Sequence, residues 1–169
     1  MSPRIVLIGP MGAGKSTVGV QLAKEMNIEF ADTDQLIEAD QGKSVSEIFI
    51  EDGEPHFRLV EESIVIDALR DQSGVLALGG GAVMNEEVQN SLRNSAAPKV
   101  FLDISLASVS SRVGFDTARP LLMVNPRQKW SELMNTRRPI YESLADIKID
   151  VSELSVENVV SRIMTEVDV

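Results

Sequence analysis

The stretch that decides the fold class is Gly9-Pro10-Met11-Gly12-Ala13-Gly14-Lys15-Ser16-Thr17. It matches the phosphate-binding pattern GxxxxGK(S/T). Residues 4–8 before it, apolar from Ile5 onward, indicate a strand. After it Val18, Leu22 and Met26 recur at every fourth position, as on one face of a helix. A glycine-rich loop between a strand and a helix is the context in which this pattern, the P-loop, binds the phosphates of a nucleotide.

The residue types in this loop suit a nucleoside triphosphate together with Mg²⁺. Glycines let backbone N–H groups converge on phosphate oxygens, and the start of the following helix adds partial positive charge. We expect Lys15 to reach the β- and γ-phosphates and the Ser16 hydroxyl to ligate Mg²⁺. The predicted nucleotide-binding residues of the loop are Gly12, Ala13, Gly14, Lys15, Ser16 and Thr17.

The remainder of the chain alternates short apolar runs with stretches of helical period, which is typical of a parallel sheet covered by helices. A second strand is expected to end near Phe30. Further strands are predicted at residues 75–78, 100–102 and 147–151, and helices at residues 61–70 and 156–167. The α/β pattern and the length of 169 residues predict a single domain over residues 1–169.

Composition and charge narrow the range of functions. With 26 acidic against 16 basic residues the formal charge is −10, which argues against nucleic acid as a partner because such binding relies on Lys and Arg. No apolar run approaches the roughly 20 residues of a membrane-spanning helix. The start of the sequence leaves no room for a signal peptide, so we expect no membrane partner and a cytoplasmic location. The absence of cysteine excludes thiolate catalysis.

Asp32-Thr33-Asp34 follows the predicted second strand, where parallel sheets carry ligand-binding residues. Two acids one residue apart at a strand end point in opposite directions. One could hold Mg²⁺ through water while the other orients or deprotonates a substrate hydroxyl. The alternative is a solvated cap for a helix from Gln35 onward, and the sequence leaves both interpretations open.

Glycines and arginines supply the other candidates. Residues 79–81 are three glycines after the third strand, which allow either close approach of a ligand or a tight turn. Arg58 could clamp a carboxylate or be a solvated surface residue. Arg119 lies in a stretch without clear period, residues 114–125, and could stabilise a transferring phosphoryl group or be an exposed loop residue. The remaining basic candidates are Arg112, Arg137 and Arg138.

A P-loop alone does not distinguish GTPases, ATPases and small-molecule kinases. The sequence contains no Asn-Lys pair, which argues against a guanine-reading motif. Its motifs, taken in order, resemble those of the shikimate kinases: the P-loop, Asp-x-Asp, Phe-Arg, Gly-Gly-Gly, Arg-Pro-Leu and Arg-x-Pro-x-Tyr. They stand at residues 9–16, 32–34, 57–58, 79–81, 119–121 and 137–141.

This resemblance implies a three-layer α/β/α P-loop kinase fold whose five-stranded parallel sheet has the order 2-3-1-4-5. It also implies a substrate-binding segment at about residues 33–61 and a mobile lid at about residues 114–125. The implied activity is transfer of the γ-phosphoryl group of ATP, with Mg²⁺, to shikimate, giving shikimate 3-phosphate. A monomer is expected.

The resemblance also assigns roles to residues. Asp34 is the expected catalytic base, and Lys15 and Arg119 are expected to stabilise charge on the transferring group. Arg112 is expected against the adenine, beside Arg119 in the nucleotide set. Shikimate would be held by Asp34, Arg58, Gly80, Gly81 and Arg137, and Mg²⁺ by Ser16 and, through water, Asp32.

Two alternatives to this function stay open at the level of the sequence. A related P-loop kinase for another polyol acid, such as gluconate, would share the nucleotide site. A nucleotide-dependent binding module that has lost catalysis would bind ATP without turning it over. Shikimate-dependent release of ADP distinguishes the expected kinase from both.

Overall fold

The computed structural model describes residues 2–113 and 125–167, so Arg119 and almost all of the predicted lid lie outside the described residues. The strands are β1 (Ile5–Ile8), β2 (Phe30–Asp32), β3 (Val75–Ala77), β4 (Lys99–Asp103) and β5 (Ile147–Asp150). The helices are α1 (Lys15–Met26), α2 (Thr33–Gln41), α3 (Val45–Glu51), α4 (Glu54–Asp71), α5 (Glu86–Asn94), α6 (Leu106–Val113), α7 (Pro126–Leu144) and α8 (Val156–Glu166), with a short 3₁₀ turn at Ala82–Met84.

The five strands form one parallel sheet in the order β2-β3-β1-β4-β5, which confirms the predicted fold class and strand order. Every residue of β1, β3 and β4 is buried, as expected for central parallel strands covered on both faces. Because all strands run the same way, their carboxyl ends share one edge of the sheet. The loops that follow β1, β2 and β3 therefore lie close together.

Most element boundaries agree with the sequence pattern, and the differences have local causes. The second strand begins at Phe30, where we expected it to end, and runs on to Asp32. The helix predicted at residues 61–70 begins already at Glu54, directly after Gly53 with its φ of 88°. Pro55 in the first turn of α4 costs no hydrogen bond there, so it does not stop the helix.

The segment between β2 and β3 has a small hydrophobic core of its own. Ile37 from α2, Ile48 from α3 and Phe57 from α4 are buried together, apart from the main core around the sheet. The Phe49 ring packs against the Phe57 ring at a tilt of 43°, with ring centroids 4.7 Å apart. Further along, α4 joins the main core through Val65 and its neighbours. Within the described residues, no helix has the length and apolar character needed to cross a membrane.

Candidate active site

The loop between β1 and α1 has the geometry of a phosphate cradle. Gly12 and Gly14 adopt φ of 88° and 87°, which bends the backbone sharply before the helix begins. Lys15 folds back over the loop, and its Nζ donates to the carbonyls of Gly9 at 2.8 Å and Pro10 at 2.9 Å. The loop is therefore a compact turn that places amides and an ammonium group at the N-terminus of α1.

A cleft of about 590 Å³ opens over this loop. One side is formed by the loop itself together with Asp32, Asp34 and the turn after β3. The other side is mainly apolar and is lined by Arg112, Val151, Leu154, Ser155, Val156 and Val159. The terminal nitrogen Nη2 of Arg112 donates to the carbonyls of Val151 at 2.7 Å and Leu154 at 3.2 Å, which fixes this guanidinium group against the apolar side.

Asp32 caps a helix, which is one of the two interpretations that the sequence left open, and it also contacts the P-loop. As the N-cap of α2 it accepts a hydrogen bond from the Asp34 amide at 2.8 Å through Oδ1. Its second oxygen, Oδ2, accepts from the hydroxyl of Ser16 in the P-loop. The expectation that Asp32 and Asp34 share strand geometry is wrong, because α2 begins at Thr33 and Asp34 lies in its first turn.

Asp34 is half-buried beneath the turn after β3. Burial is the main cause that raises its pKa to about 6, and the nearby negative charges of Asp32 and Glu61 raise it further, while Lys15 lowers it. A carboxyl group with this pKa is ionised at neutral pH yet accepts a proton more readily than an ordinary aspartate. These are the properties of a general base.

The three glycines at residues 79–81 leave space for charged side chains. A Cβ atom built on Gly79 would lie 2.6 Å from Oδ1 of Asp34. One built on Gly81 would lie 2.7 Å from both terminal nitrogens of Arg58 and 2.9 Å from Nη2 of Arg137. The segment is also a turn, since Ala82 N–H donates to the Gly79 carbonyl at 3.1 Å. The tight turn is thus observed, close approach of a ligand stays a prediction, and Asp34, Arg58 and Arg137 all lie against this one segment.

Glu61 belongs to this cluster, although the sequence analysis did not identify it. Its side chain is only 4% exposed and accepts from Nη1 of Arg58 at 2.7 Å. Burial raises the pKa of Glu61, whereas Arg58 and Arg137 oppose that rise. Its position three residues after Arg58 on a helix was the one hint in the sequence, because residues three apart lie on the same face.

Two adjacent arginines on α7 face different partners. Arg137 is buried at 5% exposure and lies against the glycine turn, and this burial is the main cause that lowers its pKa. Arg138 instead donates to the carboxylate of Asp103 at the end of β4. Consecutive helical residues point about 100° apart, so only one of the pair can reach the cluster. The geometry agrees with the choice of Arg137 from the Arg-x-Pro-x-Tyr pattern.

Comparison with known proteins shows the family to which the chain belongs. The family model described as shikimate kinase matches residues 11–168. The chain belongs to the shikimate kinase family. A shikimate kinase from Thermobifida fusca (strain YX) is 46% identical over 164 residues, which are 97% of this chain and 94% of the relative. One from Rhodococcus jostii (strain RHA1) is 41% identical over 167 residues, 98% of each chain.

Solved structures extend the likeness to three dimensions. A shikimate kinase from Acinetobacter baumannii in complex with shikimate superposes with a TM-score of 0.93 at 33% identity, over 99% of this chain and 93% of that one. A gluconokinase from Sinorhizobium meliloti 1021 superposes with a TM-score of 0.62 at 19% identity, over 99% and 92%. The second likeness concerns the fold alone. Membership of the shikimate kinase family makes the protein an ATP-dependent kinase.

Proposed function

We propose that this protein phosphorylates the 3-hydroxyl of shikimate with ATP, giving shikimate 3-phosphate and ADP. The observation that carries the proposal is the convergence of Arg58, Arg137 and Asp34 on one glycine turn that borders the P-loop. Two guanidinium groups beside a basic carboxylate suit a small carboxylate-bearing alcohol. The gluconokinase structure resembles this chain in fold only, whereas the shikimate kinase relatives resemble it in sequence and belong to the same family.

The acceptor would lie at the glycine turn, next to Arg58 and Arg137. Arg58 and Arg137 would bind the substrate carboxylate. Gly80 and Gly81 would let the shikimate ring approach the backbone. Two like charges this close repel each other, and the carboxylate of Glu61 offsets part of that repulsion. An anionic substrate supplies further compensation, which favours a carboxylate over a neutral sugar at this position.

The nucleotide would occupy the cleft over the P-loop. Amides of residues 12–17 and the ammonium group of Lys15 would bind the phosphates, while the adenine would lie between Arg112 and the apolar side. Arg119 would add positive charge from the proposed lid at residues 114–125. We also propose that the chain is a single domain, that residues 33–61 form the substrate-binding segment and that the protein is a monomer. Use of ATP as donor favours a cytoplasmic location.

The chemical step is a direct transfer. Asp34 takes the proton of the acceptor hydroxyl as the hydroxyl oxygen forms a bond to the γ-phosphorus, and the bond from that phosphorus to the β,γ-bridging oxygen breaks. The electron pair leaves with ADP, whose charge Lys15 stabilises. Phosphoryl transfer needs positioning and positive charge more than covalent catalysis, and this site supplies both.

The residues near the phosphates also fit Mg²⁺. This ion prefers oxygen donors and keeps several waters, so it needs few protein ligands. The Ser16 hydroxyl and the Asp32 carboxylate lie in hydrogen-bond contact at the mouth of the loop, a suitable donor pair. Ser16 would bind the ion directly and Asp32 through water. When bound, Mg²⁺ would neutralise negative charge on the β- and γ-phosphates.

The test is release of ADP by the purified protein with ATP and Mg²⁺, in the presence of shikimate, gluconate or no acceptor. We expect only shikimate to stimulate release. Lys15→Ala should lower turnover by about 100-fold or more, because it removes charge stabilisation made in the transition state. Stimulation by gluconate alone, or a Lys15→Ala variant of full activity, would contradict the proposal.

A further inference from the structure

A buried indole ties helix α7 to the P-loop. Trp130 is 3% exposed, and its Nε1–H donates to the carbonyl of Met11 at 3.1 Å across 119 positions of sequence. A buried indole N–H that finds a partner is expected, but this partner lies in the loop that binds phosphate. Trp130 is also the only tryptophan of the chain. No motif in the sequence around Trp130 indicates a role in the site.

The hydrogen bond fixes a peptide unit that matters for nucleotide binding. The carbonyl of Met11 and the N–H of Gly12 belong to the same planar trans peptide, so they point in opposite directions. Holding the carbonyl toward α7 therefore sets the direction of the Gly12 amide, and Gly12 lines the cleft. The loop carbonyls of Gly9 and Pro10 are bound by Lys15.

Lys15 has a second role under the proposed function, because it also binds phosphate. Its hydrogen bonds to the loop would then be exchanged when the nucleotide enters. Trp130 has no such second role, so its contact with Met11 can persist throughout. Met11 is also the point where the two binding loops meet, since its amide nitrogen lies 3.4 Å from a Cβ atom built on Gly80.

We propose that Trp130 is a positioning residue for the nucleotide, whose indole N–H holds the Met11–Gly12 peptide in its phosphate-binding orientation. The inference rests on the nucleotide half of the proposed function and is independent of the acceptor. Trp130→Phe keeps an aromatic ring in the core and removes the donor. We expect the Kd for ADP with Mg²⁺, measured by calorimetry, to rise about tenfold, while the Kd for shikimate stays within about twofold.

Two variants on the same helix serve as controls. Met134→Leu changes a buried side chain of the main core and should leave both dissociation constants unchanged. Tyr141→Phe removes a hydroxyl that donates to the Gly80 carbonyl, so it should weaken shikimate and not ADP. General loosening of α7 would weaken both ligands in every variant. Unchanged ADP affinity in a folded Trp130→Phe protein would overturn the proposal.

A second measurement uses the wild-type protein and needs no variant to fold. The single indole N–H gives one resonance in a ¹⁵N-labelled sample, so its assignment is certain. Phosphate bound to the Gly12 N–H would polarise the Met11 carbonyl of the same peptide, so saturating ADP with Mg²⁺ should shift this resonance although the contact persists, and shikimate alone should shift it far less. An unmoved resonance at saturating ADP would contradict the inference. If shikimate fails to stimulate ADP release while Trp130→Phe still weakens ADP, the proposed acceptor is wrong and the role of Trp130 stands.

Discussion

Asp34 combines a raised pKa with a position that borders both the P-loop cleft and the glycine turn. A base must be ionised to accept a proton, so activity should depend on the fraction of deprotonated Asp34. With a pKa of about 6, we expect kcat/KM to be constant above pH 7 and to fall about tenfold per unit below pH 6. A profile of kcat/KM for shikimate from pH 4.5 to 8.5 measures this. A profile flat to pH 5 would argue against Asp34 as the base.

Burial of the same charge also costs folding stability. A carboxyl whose pKa is higher in the folded than in the unfolded chain loses stability as the pH rises from its usual 3.8 through about 6. Asp34→Asn should therefore have a higher Tm than the wild type above pH 6 and the same Tm near pH 3.5, while its turnover falls at least about 100-fold. Thermal melts at both pH values and assays at neutral pH test this pair of effects. A lower Tm at pH 7 would contradict it.

At the level of elements, the glycine turn after β3 leaves the space that the ends of Arg58 and Arg137 occupy. The three atoms nearest to a methyl group on Gly81 are the terminal nitrogens of Arg58 and Arg137, so these side-chain ends would have to move. We expect Gly81→Ala to fold, to raise the KM for shikimate about tenfold, and to leave the KM for ATP within about twofold.

Gly42→Ala provides the matched control for this turn. Gly42 lies in the proposed substrate-binding segment but has a φ of 70° and no atom within 4 Å of its built Cβ, so the added methyl group strains the backbone without contacting Arg58, Arg137 or the glycine turn. It should lower the Tm and leave both KM values unchanged. Equal effects of the two glycine substitutions on the KM for shikimate would show that the turn acts through stability alone.

Some elements could be predicted from the sequence because their signals are local. The P-loop, α1 and the strand order follow from adjacent residues and from the family pattern. Helix α2 was one of the two open interpretations of Asp32 and Asp34, whereas α3, α5 and the long α7 were not predicted, because their apolar residues do not form a strongly periodic stretch. Glu61 was missed for another reason. A buried acid becomes recognisable only when the tertiary fold places Arg58 and the glycine turn around it.

On the scale of the whole molecule, residues distant in sequence gather at the carboxyl edge of the sheet. Binding there should stabilise the entire fold, because ligands that bind only the folded state shift the unfolding equilibrium. ADP with Mg²⁺ at about 100 times its Kd should raise the Tm by roughly 5–10 °C. Lys15→Ala should lose most of this rise and keep the rise produced by shikimate. Melting curves with each ligand measure it, and equal loss of both rises would indicate a global defect.

The small core of Ile37, Ile48 and Phe57 has a consequence for how such an enzyme can diverge. It supports the segment that carries Arg58, whereas the P-loop is supported by the main core. Changes within this small core can reshape the acceptor end and spare the machinery for ATP. Substitutions in this small core could therefore change the acceptor in small steps during evolution, while each intermediate protein still binds ATP.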